Sequence, residues 1–412
     1  MERTTVAIAG GGPAGMVLGL LLARAGVDVT VLEKHADFLR DFRGDTVHAS
    51  TLTLLDELGL GPSFAEVPHQ LVERMAILLD SGPQTVADLT RLPGPHKHIA
   101  FVPQWDFLDL MADAARREPS FTLRMSTEVT GLARTGSKMT GVHYRGPDGA
   151  GTLNADLVVA ADGRGSLVRA EAGLPVHRFG VPMDVWWFRL PRGTEDVGGG
   201  LGRFGPDTAV VLIPRGDYFQ TAFLIRKGTD ARLRTEGIEA FRARVAKLVP
   251  WLAERLETVE SLDDVKLLDV KLDRLRRWHA DGVLCIGDAA HAMSPIGGVG
   301  INLAVQDAVA TAAILAAPLR RGTVTPSVLA KVRRRRLFPT VVTQTFQRLV
   351  QGRFLSPPGD KTPESTRPPL PLRLLQRFPV LQGVPAYLVA IGLRPEHAPA
   401  FARRAPERIP RT

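Results

Sequence analysis

Cysteine occurs once in these 412 residues, so neither a disulfide nor a cysteine metal site can form within the chain. That one residue, Cys285, stands in the apolar run Val283-Leu284-Cys285-Ile286 and reads as a buried strand position. No stretch reaches the ~18 apolar residues of a membrane span. A strand begins a few residues after Met1, which leaves no room for a signal peptide, and a cytoplasmic protein is expected. No nucleic-acid motif accompanies the net charge of +9, and arginine is scattered along the whole chain. The densest basic run, Arg333 to Arg336, reads as a solvated helix face, and the positive potential serves at most to attract anionic cofactors and substrates. What remains is a globular, enzyme-sized chain, 44% hydrophobic, long enough for one large core and a second domain.

The most informative stretch runs from Val6 to Glu33. A short apolar strand breaks into Gly10-Gly11-Gly12-Pro13-Ala14-Gly15, a helical pattern follows to Ala25, Gly26 ends it, and Val27 to Leu32 forms a second strand. GxGxxG therefore lies between a strand and a helix, where its chemistry requires it. Gly10 permits the tight turn, Gly12 lets the backbone approach a pyrophosphate, and Gly15 lets the helix lie close to the strand. The helix start offers unpaired N–H groups and the positive end of a dipole. Glu33, about 20 residues after the turn, can accept ribose hydroxyls. An adenine dinucleotide is expected; these residues alone do not separate nicotinamide from flavin.

Two further apolar strands end in acids. Asp156 to Ala161 leads into Asp162-Gly163, and Gly282 to Ile286 leads into Gly287-Asp288-Ala289-Ala290-His291; both suit the buried middle of a parallel sheet with the acid at its ligand-binding edge. Pro295-Ile296-Gly297-Gly298-Val299-Gly300-Ile301-Asn302 then opens a long helix through Leu315, a second dipole end aimed at the same edge. Phe121 to Met125, Val129 to Arg134 and Met139 to Tyr144 read as a β-meander. Between Pro175 and Asp273 the composition turns β-rich and aromatic, with one helix expected from Ile238 to Leu256.

These motifs, in this order from Val6 to Leu315, resemble the class A flavoprotein monooxygenases, aromatic hydroxylases similar to p-hydroxybenzoate hydroxylase and the ubiquinone-pathway hydroxylases. The resemblance implies an α/β protein: a Rossmann-like FAD-binding domain of the GxGxxG type (1–72, 97–174 and 274–345), an inserted β-sheet substrate domain (73–96 and 175–273) and a helical C-terminal part (346–412). It implies FAD as cofactor, with NAD(P)H and dioxygen as cosubstrates. In such enzymes NAD(P)H reaches a surface groove, in keeping with the absence of a second GxGxxG, and reduced flavin forms a hydroperoxide that attacks the substrate. By matching residue, Gly10, Gly12, Ala14, Gly15 and Glu33 would hold the adenosine diphosphate half. Arg43 and Gln104 would line the pyrophosphate and ribityl chain, although Arg43 also reads simply as a surface arginine. Asp162, Gly163 and Asp288 would support the cofactor. Pro295 would lie over the reacting edge of the ring, with the backbone N–H groups from Gly297 and Gly298 through Gly300, Ile301 and Asn302 facing its pyrimidine end. No metal is implied; His291 invites a ligand or base reading, but beside Ala289-Ala290 it reads as structural.

Tyr218 is the candidate substrate contact. The neighbouring Ala209 to Ile213 strand offers no arginine for a benzoate carboxylate, so a larger, more apolar substrate is expected, of the polycyclic, polyketide-like or quinone type. Trp186, Trp187, Tyr218 and Phe223 are candidates for its pocket; strand alternation puts Trp186 and Trp187 on opposite faces, with Arg189 beside Trp187. The alternative activity is an oxygen-independent FAD-dependent reductase of prenyl or polyene chains. The C-terminal apolar segment, Phe378 to Leu393, either packs on the flavin domain or touches a membrane surface.

Overall fold

The computed structural model describes residues 2–39, 46–79, 82–193, 195–196, 200–205, 208–354 and 370–406. Glu2–Ala9 is the first strand, Pro13–Arg24 the first helix and Val29–Leu32 the second strand. Pro13 sits at the helix start, where its missing N–H costs nothing. Gly26, at φ 73°, supplies the left-handed residue that ends it. Almost every side chain of this helix is buried, because it lies between the sheet and the core helix Gly300–Arg320.

The main sheet runs His279–Ala280, Val283–Cys285, Gly149–Ala160, Glu2–Ala9, Val29–Leu32, Phe121–Arg124. All neighbours pair in parallel except the edge strand His279–Ala280. Phe121–Arg124 is thus not part of a meander: it joins the far edge of the parallel sheet, and the antiparallel hairpins comprise Glu128–Thr135, Lys138–Gly146 and Gly149–Ala160. Strand spacing along the chain could not reveal that non-local partner.

A seven-stranded sheet combines Arg74–Leu79 and Gly82–Asp88 with strands between Met183 and Leu268. Trp186, Phe188, Leu212, Phe219 and Phe223 face the helix Gly237–Leu248 and pack on its Phe241 and Val245. Trp186 and Phe223 therefore belong to the core, not to a pocket. That helix stops before Leu256, because Pro250 lacks an N–H and restricts Val249; two short 3-10 turns follow. Trp187, Val211, Ala222 and Leu224 occupy the opposite face.

The helix Pro326–Phe354 crosses the boundary expected at 345/346. Its basic run is not wholly solvated: Arg334 and Arg335 are exposed, but Arg336 is only 1% exposed and ion-paired to Asp307. The helix Gly383–Ala390 packs Ala386 and Ala390 against Ala87, Leu89 and Leu92, while Phe378, Val380 and Leu381 stay exposed. By length and composition the segment Ile296–Arg320 would pass for a membrane span, contrary to the sequence expectation; 78% of its apolar window is buried inside the molecule, as befits a core helix.

Candidate functional site at the carboxyl edge of the parallel sheet

Leu32, Ala9, Ala160 and Cys285 are successive partners across the sheet. The segments that follow them, Gly10 to Gly15, Glu33, Asp162-Gly163 and Gly287-Asp288, therefore emerge along one edge. Sequence separation of more than 250 residues is cancelled by register.

The glycine turn is dictated by close approach. A Cβ on Gly10 would lie 2.5 Å from the Ala161 carbonyl oxygen, and one on Gly15 would lie 2.0 Å from that of Gly10. Gly12 differs: nothing lies within 4 Å of its Cβ position, so its backbone borders open space. Glu33 is nearly buried, its Oε2 accepting the Gly11 N–H at 2.8 Å and Oε1 that of His35 at 3.1 Å. Gly11 was overlooked as a site residue; a Cβ there would come within 3.0 Å of Glu33 Cβ. Ala14, in the first helical turn, lies under the second motif, where a Cβ on Gly287 would come within 3.1 Å of its own.

Asp162 accepts the Val168 N–H through Oδ2 at 3.2 Å, while its buried Oδ1 has no partner among the described residues. Burial pushes its pKa up despite hydrogen bonds from Ser166 and backbone amides. Gly163, at φ 80°, again borders open space. Asp288 is partly exposed, with Arg164 3.8 Å away. Arg169 is buried against Asp273, the Ala289 carbonyl and the Arg164 carbonyl, a structural clamp on the same edge.

Pro295 starts the turn to the core helix, and Gly297 (φ 80°) and Gly298 (φ 62°) adopt left-handed conformations within it. The N–H groups of Gly300, Ile301 and Asn302 fall in the first helical turn, where no intrahelical acceptor is available. The side chain of Asn302 is committed elsewhere, its Oδ1 2.8 Å from the hydroxyls of both Ser50 and Thr51. Gln104 is the first residue of the helix Gln104–Arg116. Arg43 lies outside the described residues.

His291 resolves as structural. Its ring packs on Trp278 and its Nε2 lies 2.6 Å from Asp307 Oδ2, both side chains fully buried. Asp307 also accepts the Gly287 N–H at 3.1 Å and Arg336 Nε at 3.0 Å, so it pins both ends of the loop carrying Asp288. Sequence reasoning passed over Asp307 even though it is the only acid in the apolar stretch 300–320.

On the second sheet Tyr218 stands beside Arg189, whose Cζ is 4.9 Å from the ring centroid. The strand Ala209–Arg215 runs two residues beyond Ile213, and alternation returns Arg215 to the face of Ile213. This buried arginine lies 5.6 Å from the Phe101 ring and 3.3 Å from Gln220 Oε1, so the face is not free of charge as expected.

An open-sided glycine cradle, a carboxylate at the second strand end, an orphaned buried Asp162 oxygen and an uncapped helix start fit a bound dinucleotide. The family described as FAD binding domain matches residues 3–346, and the chain belongs to it. It is an FAD-dependent monooxygenase. It is 35% identical to a 6-methylpretetramide 4-monooxygenase of Streptomyces rimosus over 93% of this chain and 91% of the relative. Identity to the 3-demethoxyubiquinol 3-hydroxylase of Escherichia coli is 26%, covering 86% and 90%. Among solved structures, the anhydrotetracycline hydroxylase of Streptomyces rimosus superposes with a TM-score of 0.74 at 25% identity, covering 94% of this chain and 76% of that one.

Proposed function

We propose that this enzyme hydroxylates a polycyclic aromatic substrate of the polyketide type, drawing electrons from NAD(P)H. The observation that carries the substrate class is the 35% identity, nearly end to end, with an enzyme named for a pretetramide. It is supported by the second sheet, whose inner face carries Trp187, Val211, Ile213 and Ala222. Residues 1–72, 97–174 and 274–345 form the FAD-binding part in this reading, residues 73–96 and 175–273 the substrate part, and residues 346–412 the C-terminal cover.

Bound FAD supplies the redox chemistry, accepting hydride and then activating dioxygen. The chain holds and shields it. Gly10, Gly12 and Gly15 let the backbone approach its pyrophosphate, with Ala14 packed beneath, and Glu33 accepts ribose hydroxyls. Gln104, Asp162, Gly163 and Asp288 border the central part. The first-turn amides at Gly300, Ile301 and Asn302 offer fixed positive dipoles that would stabilise negative charge on the flavin. Pro295, Gly297 and Gly298 would border the flavin, and Tyr218 would meet the substrate. Excluding water from this space would favour oxygen transfer to the substrate over release of hydrogen peroxide.

The test is a size series of phenols, followed by NAD(P)H absorbance. Polycyclic phenols and quinone precursors are expected to accelerate NAD(P)H oxidation, and simple hydroxybenzoates are not. Tight, product-coupled turnover of hydroxybenzoates alone would overturn the substrate class.

A further inference from the structure

We propose that His48 is a positioning residue for the monooxygenase reaction, fastening the helix Gly383–Ala390 against the glycine turn at residues 295–300 so that this helix forms a wall of the substrate space. The inference rests on the functional reading above for what the wall encloses; the fastening itself stands on geometry.

His48 is 0% exposed, yet it belongs to no ion pair among the described residues. Its Nδ1 is 2.7 Å from the Val389 carbonyl oxygen. A carbonyl only accepts, so Nδ1 carries the proton and Nε2 is left with its lone pair. Burial pushes the imidazole pKa down to about 4, which keeps the ring neutral near pH 7. The Thr46 hydroxyl donates its one proton to the Gly298 carbonyl at 3.0 Å, and its oxygen lies 3.3 Å from Nε2. The short segment from Thr46 to His48 therefore carries two separate ties, His48 to Val389 and Thr46 to Gly298. The approach is close enough to demand glycine, since a Cβ on Gly298 would lie 2.9 Å from Thr46 Oγ1.

The Val389 side chain packs against two hydrophobic clusters. It packs with the cluster holding Met75, Phe101 and Ile213 on the sheet side, and with Met293, Val299 and Leu303 around the turn. A Cβ on Gly297 would stand 3.7 Å from Val389 Cγ2. Beside these ties the Ser50 hydroxyl donates to Asn302 Oδ1 at 2.8 Å, with the Ala390 carbonyl oxygen 3.3 Å from the same Oγ. His48 thus holds the end of the helix Gly383–Ala390, while Thr46 and Ser50 hold the same short segment to residues expected to face the flavin.

His48→Phe keeps the ring volume and removes the hydrogen bond to Val389, whereas His48→Asn retains an N–H that can donate to that carbonyl. The FAD-loaded wild type and both variants are compared by amide hydrogen exchange over residues 387–392 and by the split of NAD(P)H electrons between hydroxylated product and hydrogen peroxide. His48→Phe is expected to exchange at least tenfold faster in that segment and to release several-fold more peroxide. His48→Asn is expected to recover most of both. Wild-type exchange and coupling in folded His48→Phe would overturn the proposal, as would a folded His48→Asn no better than Phe. If His48→Phe does not fold, Thr46→Val severs only the link to Gly298; a rise in peroxide supports the strut and unchanged coupling removes it. Absence of NAD(P)H oxidation in every protein, wild type included, would count against the functional reading, and the exchange rates would still decide the strut.

Discussion

Replacing Asp307 by alanine removes one carboxylate that serves three donors: the Gly287 N–H, His291 Nε2 and Arg336 Nε. Arg336 and Asp307 are 1% and 0% exposed, so the guanidinium would lose its principal anion without gaining water. Breaking a buried pair in this way costs about 3–5 kcal/mol. Asp307→Asn keeps one acceptor oxygen but turns an amide N–H toward the remaining donors and still leaves Arg336 without its buried anion, so it should also cost about 3–5 kcal/mol. Urea unfolding at pH 7 measures both, and flavin fluorescence titration should show weaker FAD binding in the folded fraction, because Gly287 directly precedes Asp288. The pH dependence has a fixed sign. Burial alone would raise the Asp307 pKa, but His291 and Arg336 outweigh it and hold the carboxyl below its usual 3.8. Its stabilisation is therefore complete above that value and is lost as pH falls through the depressed folded pKa. The gap between wild type and Asp307→Asn should narrow accordingly in acid. A folded alanine variant within about 0.5 kcal/mol of wild type would refute the claim that this carboxylate holds the loop.

Asp288→Ala should weaken FAD by the equivalent of about 1.5–3 kcal/mol for each lost hydrogen bond while leaving the melting temperature of the nucleotide-free protein nearly unchanged; unaltered fluorescence titration would rule the contact out. Gly15→Ala forces a methyl to within 2.0 Å of the Gly10 carbonyl oxygen, so thermal melts should show a loss of about 1–3 kcal/mol, and a wild-type melt would mean the helix does not lie that close. Because the folded His48 pKa is about 4 against 6.5 unfolded, wild type should lose about 2 kcal/mol more than His48→Asn between pH 7 and 4.5, and parallel pH profiles of urea stability would contradict it.

The parts legible in the sequence are those whose chemistry is local. The glycine turn, the strand-end acids and the glycine-rich helix entrance each declare themselves within a dozen residues, and sheet register then brings them to one edge. Arg336 was misread with its neighbours because its burial depends on Asp307 and Glu396, which a basic run cannot reveal. Alternation separated Trp186 from Trp187, but only the helix carrying Phe241 decides which face is core. Phe121–Arg124 has the composition of a hairpin strand and pairs instead with Val29–Leu32, a choice made by the tertiary fold. His48 gave no signal at all, since its partner Val389, more than 300 residues away, acts through a backbone carbonyl.

The central claim is that this chain uses FAD and NAD(P)H to insert oxygen into a bulky aromatic substrate. Incubation of the FAD-loaded protein with NAD(P)H, a polycyclic phenol that accelerates its oxidation and isotope-labelled dioxygen tests it most directly, with mass spectrometry of the product. One labelled oxygen atom per product molecule, and none acquired from labelled water, is the expected result. A reduced product formed without oxygen, or NAD(P)H oxidation that yields only hydrogen peroxide across the whole substrate series, would contradict it.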